Sequence, residues 1–363
     1  MKILFVSHSS VLEYHQQKLR VMAEKYGAEI VLVTPPYWPE GGISAPVFKG
    51  NESITYETGK VVQFKNHLMH FYLNASAIIK KYNPDIVYLE EDAFIPACAQ
   101  FIKAAKKAGK KAVFFTWENI HRSYNFIYNK MEKYCLKNAD AAVAGNKEGD
   151  DILKVKGFTN PVEIIPQYGL NINEFSPACG FGSGIKEVVY IGRLIEEKGI
   201  DTLIEAASKV KYINLNLIGT GGEEYVNTLK NSAAKLNITD RVIFHGYMDR
   251  ARLNGFIKNM QVLVLPSVTT EGWKEQFGRV LIEAFASKIA VIGSDSGEIP
   301  NVIGDAGLVF REGNPFGLAE AIEKLNNKKL YNELIEKGYR RVSENYTNEI
   351  IAGKIMALCK ALL

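Results

Sequence analysis

Short apolar runs without polar alternation recur along this chain, and they constrain its fold more than any other feature. In the first half they are Lys2–Ser7, Glu29–Thr34, Asp85–Glu90, Lys111–Thr116, Ala139–Ala144 and Val162–Pro166. In the second they are Glu187–Ile191, Ile213–Ile218, Val242–His245, Val262–Leu265, Ile289–Ile292 and Leu308–Phe310. A strand with one solvated face alternates apolar and polar residues, whereas a run apolar throughout is buried on both faces, as in a parallel sheet. Helical patterns separate the runs, among them Leu12–Tyr26, Phe94–Gly109, Glu223–Lys235 and Gly278–Ser287. Strand and helix in alternation define βαβ units.

The length of 363 residues is over twice the ~150 at which one domain is the default, so the pattern reads as two doubly wound α/β domains in series. The segment Asn173–Gly184, broken by Pro177, Gly180, Gly182 and Gly184, is the expected junction. The predicted domains are 1–172 plus 348–363, and 173–347. Apolar residues make up 47%, which excludes a disordered chain. Lys and Arg number 44 against 40 Asp and Glu, without the basic excess of a nucleic-acid-binding domain. Cys98, Cys135, Cys179 and Cys359 are isolated and form no metal-ligand pair, which predicts free thiols in a reducing compartment. The N-terminal apolar run is too short for a signal-peptide core, and no stretch approaches ~18 apolar residues, so a cytoplasmic location is expected.

Three segments of the second half follow strand ends. Gly192-Arg193-Leu194-Ile195-Glu196-Glu197-Lys198-Gly199 offers two cations five residues apart before a helix N-terminus, an arrangement suited to an anion. An ordinary βα loop with solvated charges would look the same. Gly219-Thr220-Gly221-Gly222 is a glycine turn at which phosphates could approach backbone. It falls short of the G-x-G-x-x-G dinucleotide pattern, and the next strand ends in His245-Gly246-Tyr247 rather than an acid for a ribose. In Glu271–Gly278 and the helix after it, Glu275 and Glu283 lie eight positions apart. Glu197/Glu205, Glu312/Glu320 and Glu336/Glu344 share that spacing, so it means little alone. Here, though, Phe277 and Gly278 should bring backbone N–H groups to the helix N-terminus, with Glu283 about two turns in.

These segments, in this order, resemble the retaining glycosyltransferases of family 4, glycosyl transferases group 1. The matching residues are Gly192–Gly199 for G-R-L-x-x-E-K-G, Gly219–Gly221 for G-x-G, and Glu275–Glu283 with Phe277-Gly278 for the E-x7-E motif. Gly297-Glu298-Ile299-Pro300 matches a glycine–glutamate–proline triplet with one residue inserted. Ile165-Pro166-Gln167-Tyr168-Gly169-Leu170-Asn171, followed by Phe175 and Pro177, is similar to the interdomain linker I-P-N-G-V-D…F-x-P. The resemblance is good over about residues 130–345. It implies a GT-B fold, two Rossmann-like domains facing across a cleft, with a nucleotide-sugar donor on the second. Arg193 and Lys198 would neutralise its diphosphate, Glu275 would contact the sugar, and N–H groups near Phe277 and Gly278 would bind sugar or phosphate. Glu283 would accept from the ribose, Tyr247 and Met248 would line the base pocket, and Gly192, Gly219 and Gly221 would complete the donor site. No metal or cofactor is then required, and the chain contains no D-x-D triplet.

The first domain is expected to hold a sugar or lipid-linked acceptor. The resemblance points to a histidine after its fourth or fifth strand, and both Glu118 and His121 follow Lys111–Thr116. A loop histidine is more often a plain surface or capping residue. The family's glycine-rich first loop is replaced by Ser7-His8-Ser9-Ser10-Val11, where Ser9, Ser10 and His15 are candidate substitutes. The aromatic segment Pro35–Gly42 reads equally as an acceptor platform or a rigid proline loop. Lys103, Lys106, Lys107, Lys110 and Lys111 read as a solvated helix end or as a contact for anionic lipid at the inner membrane face. The last segment, Asn348–Leu363, is expected to pack on the first domain. The expected activity is retaining, metal-independent transfer of a hexose from a UDP- or GDP-linked donor. A GT-B sugar-nucleotide epimerase, an NAD-dependent oxidoreductase and a non-catalytic sugar-nucleotide-binding protein are the alternatives.

Overall fold

The computed structural model describes residues 1–40, 43–63 and 69–363, which divide into two compact units, Met1–Gly169 with Asn348–Leu363, and Leu170–Thr347. The first unit contains β1 (Lys2–Val6), β2 (Glu29–Thr34), β3 (Tyr37–Glu40), β4 (Ile43–Pro46), β5 (Ile54–Thr58), β6 (Val61–Gln63), β7 (His70–Tyr72), β8 (Ile86–Leu89), β9 (Lys111–Thr116), β10 (Ala141–Ala144) and β11 (Val162–Ile164). Seven of these form a parallel sheet in the order β11-β10-β9-β8-β1-β2-β5. The second unit contains β12 (Glu187–Ile191), β13 (Asn214–Ile218), β14 (Val242–Gly246), β15 (Val262–Leu265), β16 (Ala290–Ser294) and β17 (Leu308–Phe310). They form a parallel sheet in the order β14-β13-β12-β15-β16-β17.

The absence of alternation in β1 has a direct cause. Leu4 and Val6 enter one core with residues of the helices Ala75–Tyr82 and Pro96–Lys107, while Ile3 and Phe5 enter a second core with Leu19 and Met22. Both faces are dry, so both phases of the strand are apolar. Ile351, Ile355, Met356 and Cys359 of the final helix, Asn348–Ala361, fill that second core.

Five strands carry no plain apolar run. β5 is an edge strand whose burial falls off after Ile54, and an edge strand tolerates alternation. β3–β4 and β6–β7 are small antiparallel pairs outside the main sheet. The aromatic segment from Pro35 is therefore strand over Tyr37–Glu40, with Trp38 buried, and Gly41 and Gly42 lie outside the described residues. The 18-residue helix Lys328–Asn345 is another element without a strong sequence signal, its buried face being only Tyr331, Leu334, Gly338 and Val342.

The glycine-rich segment expected to be the junction belongs to the second unit. Ala178 and Cys179 donate to the carbonyls of Ser287 and Lys258, and the Gln261 amide donates to those of Gly180, Phe181 and Gly184. The chain changes unit at Gly169/Leu170 instead, three residues before the expected boundary.

Candidate functional site

In the second unit, loops at the carboxyl ends of β12, β13 and β15 are tied to one another, the place where open parallel sheets bind ligands. The Lys198 ammonium donates to Glu275 Oε2 at 2.5 Å and lies 4.7 Å from the Trp273 ring centroid. Ser267, two residues beyond β15, donates to the same oxygen at 2.8 Å. Glu275 is buried and its carbonyl accepts from the Glu298 N–H, which fastens the loop of the glycine–glutamate–proline segment to it. Lys198 and Glu275 therefore hold each other in place. Arg193 differs. It is exposed, and its guanidinium makes no ion pair among the described residues; its carbonyl accepts from the Tyr190 hydroxyl at 2.7 Å. Burial, with the Glu275 charge nearby, pushes the Tyr190 phenol up and keeps it a donor.

The glycines of the second loop have a packing role that their motif did not disclose. A Cβ at Gly219 would lie 1.8 Å from the Gly192 carbonyl oxygen, and one at Gly221 would lie 1.9 Å from that of Leu194. Leu194 and Gly221 form a β-bridge, and Leu194 N–H donates to Thr220. Glycine here lets the two loops press backbone to backbone, which sets where Arg193 stands.

Gly278, in the left-handed conformation (φ 78°), is the N-cap of the helix Arg279–Ala286. The Phe277 ring is buried edge-on to Tyr346 at 5.7 Å. Glu283 is half-buried on this helix and pairs with Arg279 at 2.9 Å, a partner its spacing from Glu275 did not suggest. After β14, Tyr247 is 71% exposed while Met248 is buried. The structure thus brings together Arg193, Lys198, Glu275 and the glycines, and adds Ser267. The signal for Ser267 was a polar residue just past a fully apolar strand.

The first-unit candidates stand differently. Glu118 accepts from the Tyr124 hydroxyl at 3.0 Å and from Lys156 at 2.5 Å, and Lys156 also meets Glu132 at 2.6 Å. This buried cluster engages the Glu118 carboxylate within the fold. Burial raises the Glu132 carboxyl despite Lys156. His121 is exposed. Ser10 and His15 are buried, with His15 against the rings of Tyr14 and Tyr168, so they do not form an open loop. Ser9 meets Ser7 and accepts from Gln167.

A polar cluster at the carboxyl ends of β1 and β8 escapes the motif reading altogether. Glu90 pairs with buried Lys18 and accepts from Ser7, while Lys18 also donates to the Gln167 carbonyl. Glu91 is flanked by His8 and His70. Burial opposes ionisation of Glu91, but these two rings hold its carboxyl down at about 2. Asp92 accepts from Thr116 and the Trp117 N–H, and burial together with the Glu118 charge pushes it up to about 6. Three consecutive acids after an apolar parallel strand were the available sequence signal.

The architecture of both units is that of the GT-B fold. HepE of Anabaena, solved in complex with UDP, superposes with a TM-score of 0.78 at 17% identity, covering 99% of this chain and 100% of that one. A glycosyltransferase from Rickettsia africae does so with a TM-score of 0.73 at 21% identity, covering 99% and 98%. Residues 172–341, within the second unit, match the family model described as Glycosyl transferases group 1. The lipopolysaccharide core biosynthesis glycosyltransferase LpsE of Rhizobium meliloti is 31% identical over 47% of this chain and 48% of its own length. The N-acetyl-alpha-D-glucosaminyl L-malate synthase of Bacillus anthracis is 28% identical over 57% of this chain and 53% of its own. The chain spans about half the length of most of the first curated relatives it matches. The epimerase alternative finds no support in these transferases.

Proposed function

We propose that this chain is a retaining, metal-independent glycosyltransferase that moves a hexose from a UDP- or GDP-linked donor to a sugar, polysaccharide or lipid-linked acceptor. The observation that carries the reading is the Lys198–Glu275 contact between two loops 77 residues apart, in the unit where the guanidinium of Arg193 has no ion-pair partner among the described residues. An exposed arginine suits a diphosphate, whose oxygens it can fork, and the adjacent ammonium adds a point charge. In this reading Arg193 and Lys198 stabilise the leaving nucleotide as the bond from the anomeric carbon to phosphate oxygen breaks, the electron pair staying with the diphosphate. The acceptor hydroxyl oxygen bonds to that carbon from the same face, and its proton passes to a phosphate oxygen. Glu275, held by Lys198 and Ser267, faces the sugar hydroxyls, Glu283 the ribose, and Tyr247 and Met248 the base. The N–H groups at Phe277 and Gly278 complete the donor half.

The first unit supplies the acceptor half, with Glu118 and His121 as its candidates. Contact with the inner membrane face is supported by Phe126, 80% exposed, and Ile127 beside Lys130, Lys133 and Lys137. The lysines of the preceding helix end support it less, since Lys106 and Lys111 pair with Asp140. Among the described residues no helix is long and apolar enough to cross a membrane.

A thermal-shift screen with UDP- and GDP-linked sugars tests the donor class, because a bound donor raises the melting temperature by mass action. Transfer assays with the donor found, followed by NMR assignment of the product anomer, test retention. No shift with any nucleotide sugar, or an inverted product, would overturn the corresponding part.

A further inference from the structure

The register of the first sheet pairs Val6 of β1 with Leu89 of β8, so residues two positions beyond each, His8 and Glu91, come side by side at the carboxyl edge. His8 Nδ1 lies 2.9 and 2.8 Å from the two carboxylate oxygens of Glu91, and the His8 N–H donates to Oε1 at 3.2 Å. His70, the first residue of β7, points its Nε2 at the same Oε1 at 3.4 Å. The hairpin strand β7 is held there by Gln100, which accepts from the Tyr72 N–H at 2.8 Å and donates to the Tyr72 carbonyl at 2.5 Å. Ligand atoms of His8, His70 and Glu91 all fall within 4.8 Å of one another. The Trp38 ring packs 4.5 Å from His8 and 4.9 Å from His70, so both imidazoles are confined.

We propose that His8, His70 and Glu91 form a binding site for a divalent transition-metal ion, with Zn2+ the best match to two imidazoles and one carboxylate. A tetrahedral Zn2+ with ligand distances of about 2.0–2.2 Å sets its ligand atoms roughly 3.3–3.5 Å apart, so small rotations of three side chains suffice. The charge arrangement points the same way. Glu90 has buried Lys18 as a full cationic partner, whereas the polar partners of fully buried Glu91, among the described residues, are the two imidazoles and the His8 N–H. Buried carboxylates are paired with cations or coordinate metals, and here the two groups against the carboxylate are themselves metal ligands.

Three protein ligands leave a fourth position for water or a ligand oxygen, the arrangement of open zinc sites. The His8 side chain is 27% exposed while those of His70 and Glu91 are closed off, so the open position is on the His8 side. It lies where the strand order turns from β8 through β1 to β2, the switch point at which open α/β sheets take ligands. The site belongs to the first unit and leaves the treatment of the donor diphosphate by Arg193 and Lys198 unchanged.

Full-length protein stripped with EDTA is titrated with ZnSO4 by calorimetry and with CoCl2 by visible absorption. Wild type and Cys179→Ser, which removes the exposed thiol, should each bind one ion with ligand-field bands of tetrahedral intensity. His8→Ala and Glu91→Gln should weaken binding by more than the ~10- to 100-fold that loss of an outer-shell partner costs. Circular dichroism reports whether they remain folded. Independently of any variant, Zn2+ should slow hydrogen exchange in wild type at residues 7–10 and 89–92. Wild type that binds no ion, equal affinity in folded His8→Ala, or exchange unchanged by Zn2+ would overturn the proposal. These readouts involve no transfer reaction, so they succeed or fail separately from the proposed activity.

Discussion

The two units treat their charges in opposite ways. In the second, Lys198 and Glu275 neutralise each other and an exposed Arg193 without an ion pair among the described residues stands on the neighbouring loop. In the first, the buried cations are fully taken up: Lys18 by Glu90, and Lys156 by both Glu118 and Glu132. The carboxyl edge of the first sheet instead presents Glu90, Glu91 and Asp92, with Ser7, Ser9 and Gln167 around them. An edge of that kind repels phosphate and favours hydroxyl groups or a cation, whereas an exposed arginine favours an anion. One fold used twice thus carries two differently charged strand edges, and the difference lies in a few side chains at strand ends rather than in net charge.

The largest effect expected from breaking this contrast is on stability of the first unit. Lys156→Met leaves Glu118 and Glu132 buried without their cation and should cost about 3–5 kcal/mol in denaturant unfolding. Donor-induced thermal stabilisation of the second unit should survive at temperatures where the variant is folded. Next comes Glu275→Ala, which should lower turnover at least ~10²-fold, the scale of one lost transition-state contact; wild-type turnover would show the site to be misplaced. Gly221→Ala should destabilise by about 1–3 kcal/mol and weaken donor affinity together, because its Cβ collides with the Leu194 backbone and displaces Arg193. Arg193→Ala should raise the donor KM with little change in melting temperature, since an exposed side chain without an ion pair contributes little to folding. The smallest effect belongs to Lys106→Ala, where loss of a surface pair with Asp140 should cost under ~1 kcal/mol.

The sequence disclosed the second unit more fully than the first for a physical reason. Arg193, Lys198 and Gly219 lie on short loops after strands and Glu275 on the longer connection between β15 and the helix Arg279–Ala286, and each is a contiguous segment with its own pattern. The first-unit cluster is drawn from five separate places, residues 7–8, 18, 70, 90–91 and 167, whose proximity depends on sheet register and on a hairpin outside the main sheet. No spacing rule connects them. Glu118 is similar: the partner that engages it, Lys156, lies 38 residues away, which its place after β9 did not disclose. The strands of both sheets were legible where they are central and apolar. They were not legible where edge position or a hairpin relaxes the requirement for two dry faces, as in β5 and β7.

Hydrogen exchange of the full chain, with and without the UDP- or GDP-linked sugar that raises its melting temperature, tests the central claim most directly. The account predicts slowed exchange at residues 192–199, 219–222 and 275–283, lost in Lys198→Ala at the same donor concentration. Protection confined to the first unit, or unaffected by Lys198→Ala, would contradict a donor site built on the second unit's loops.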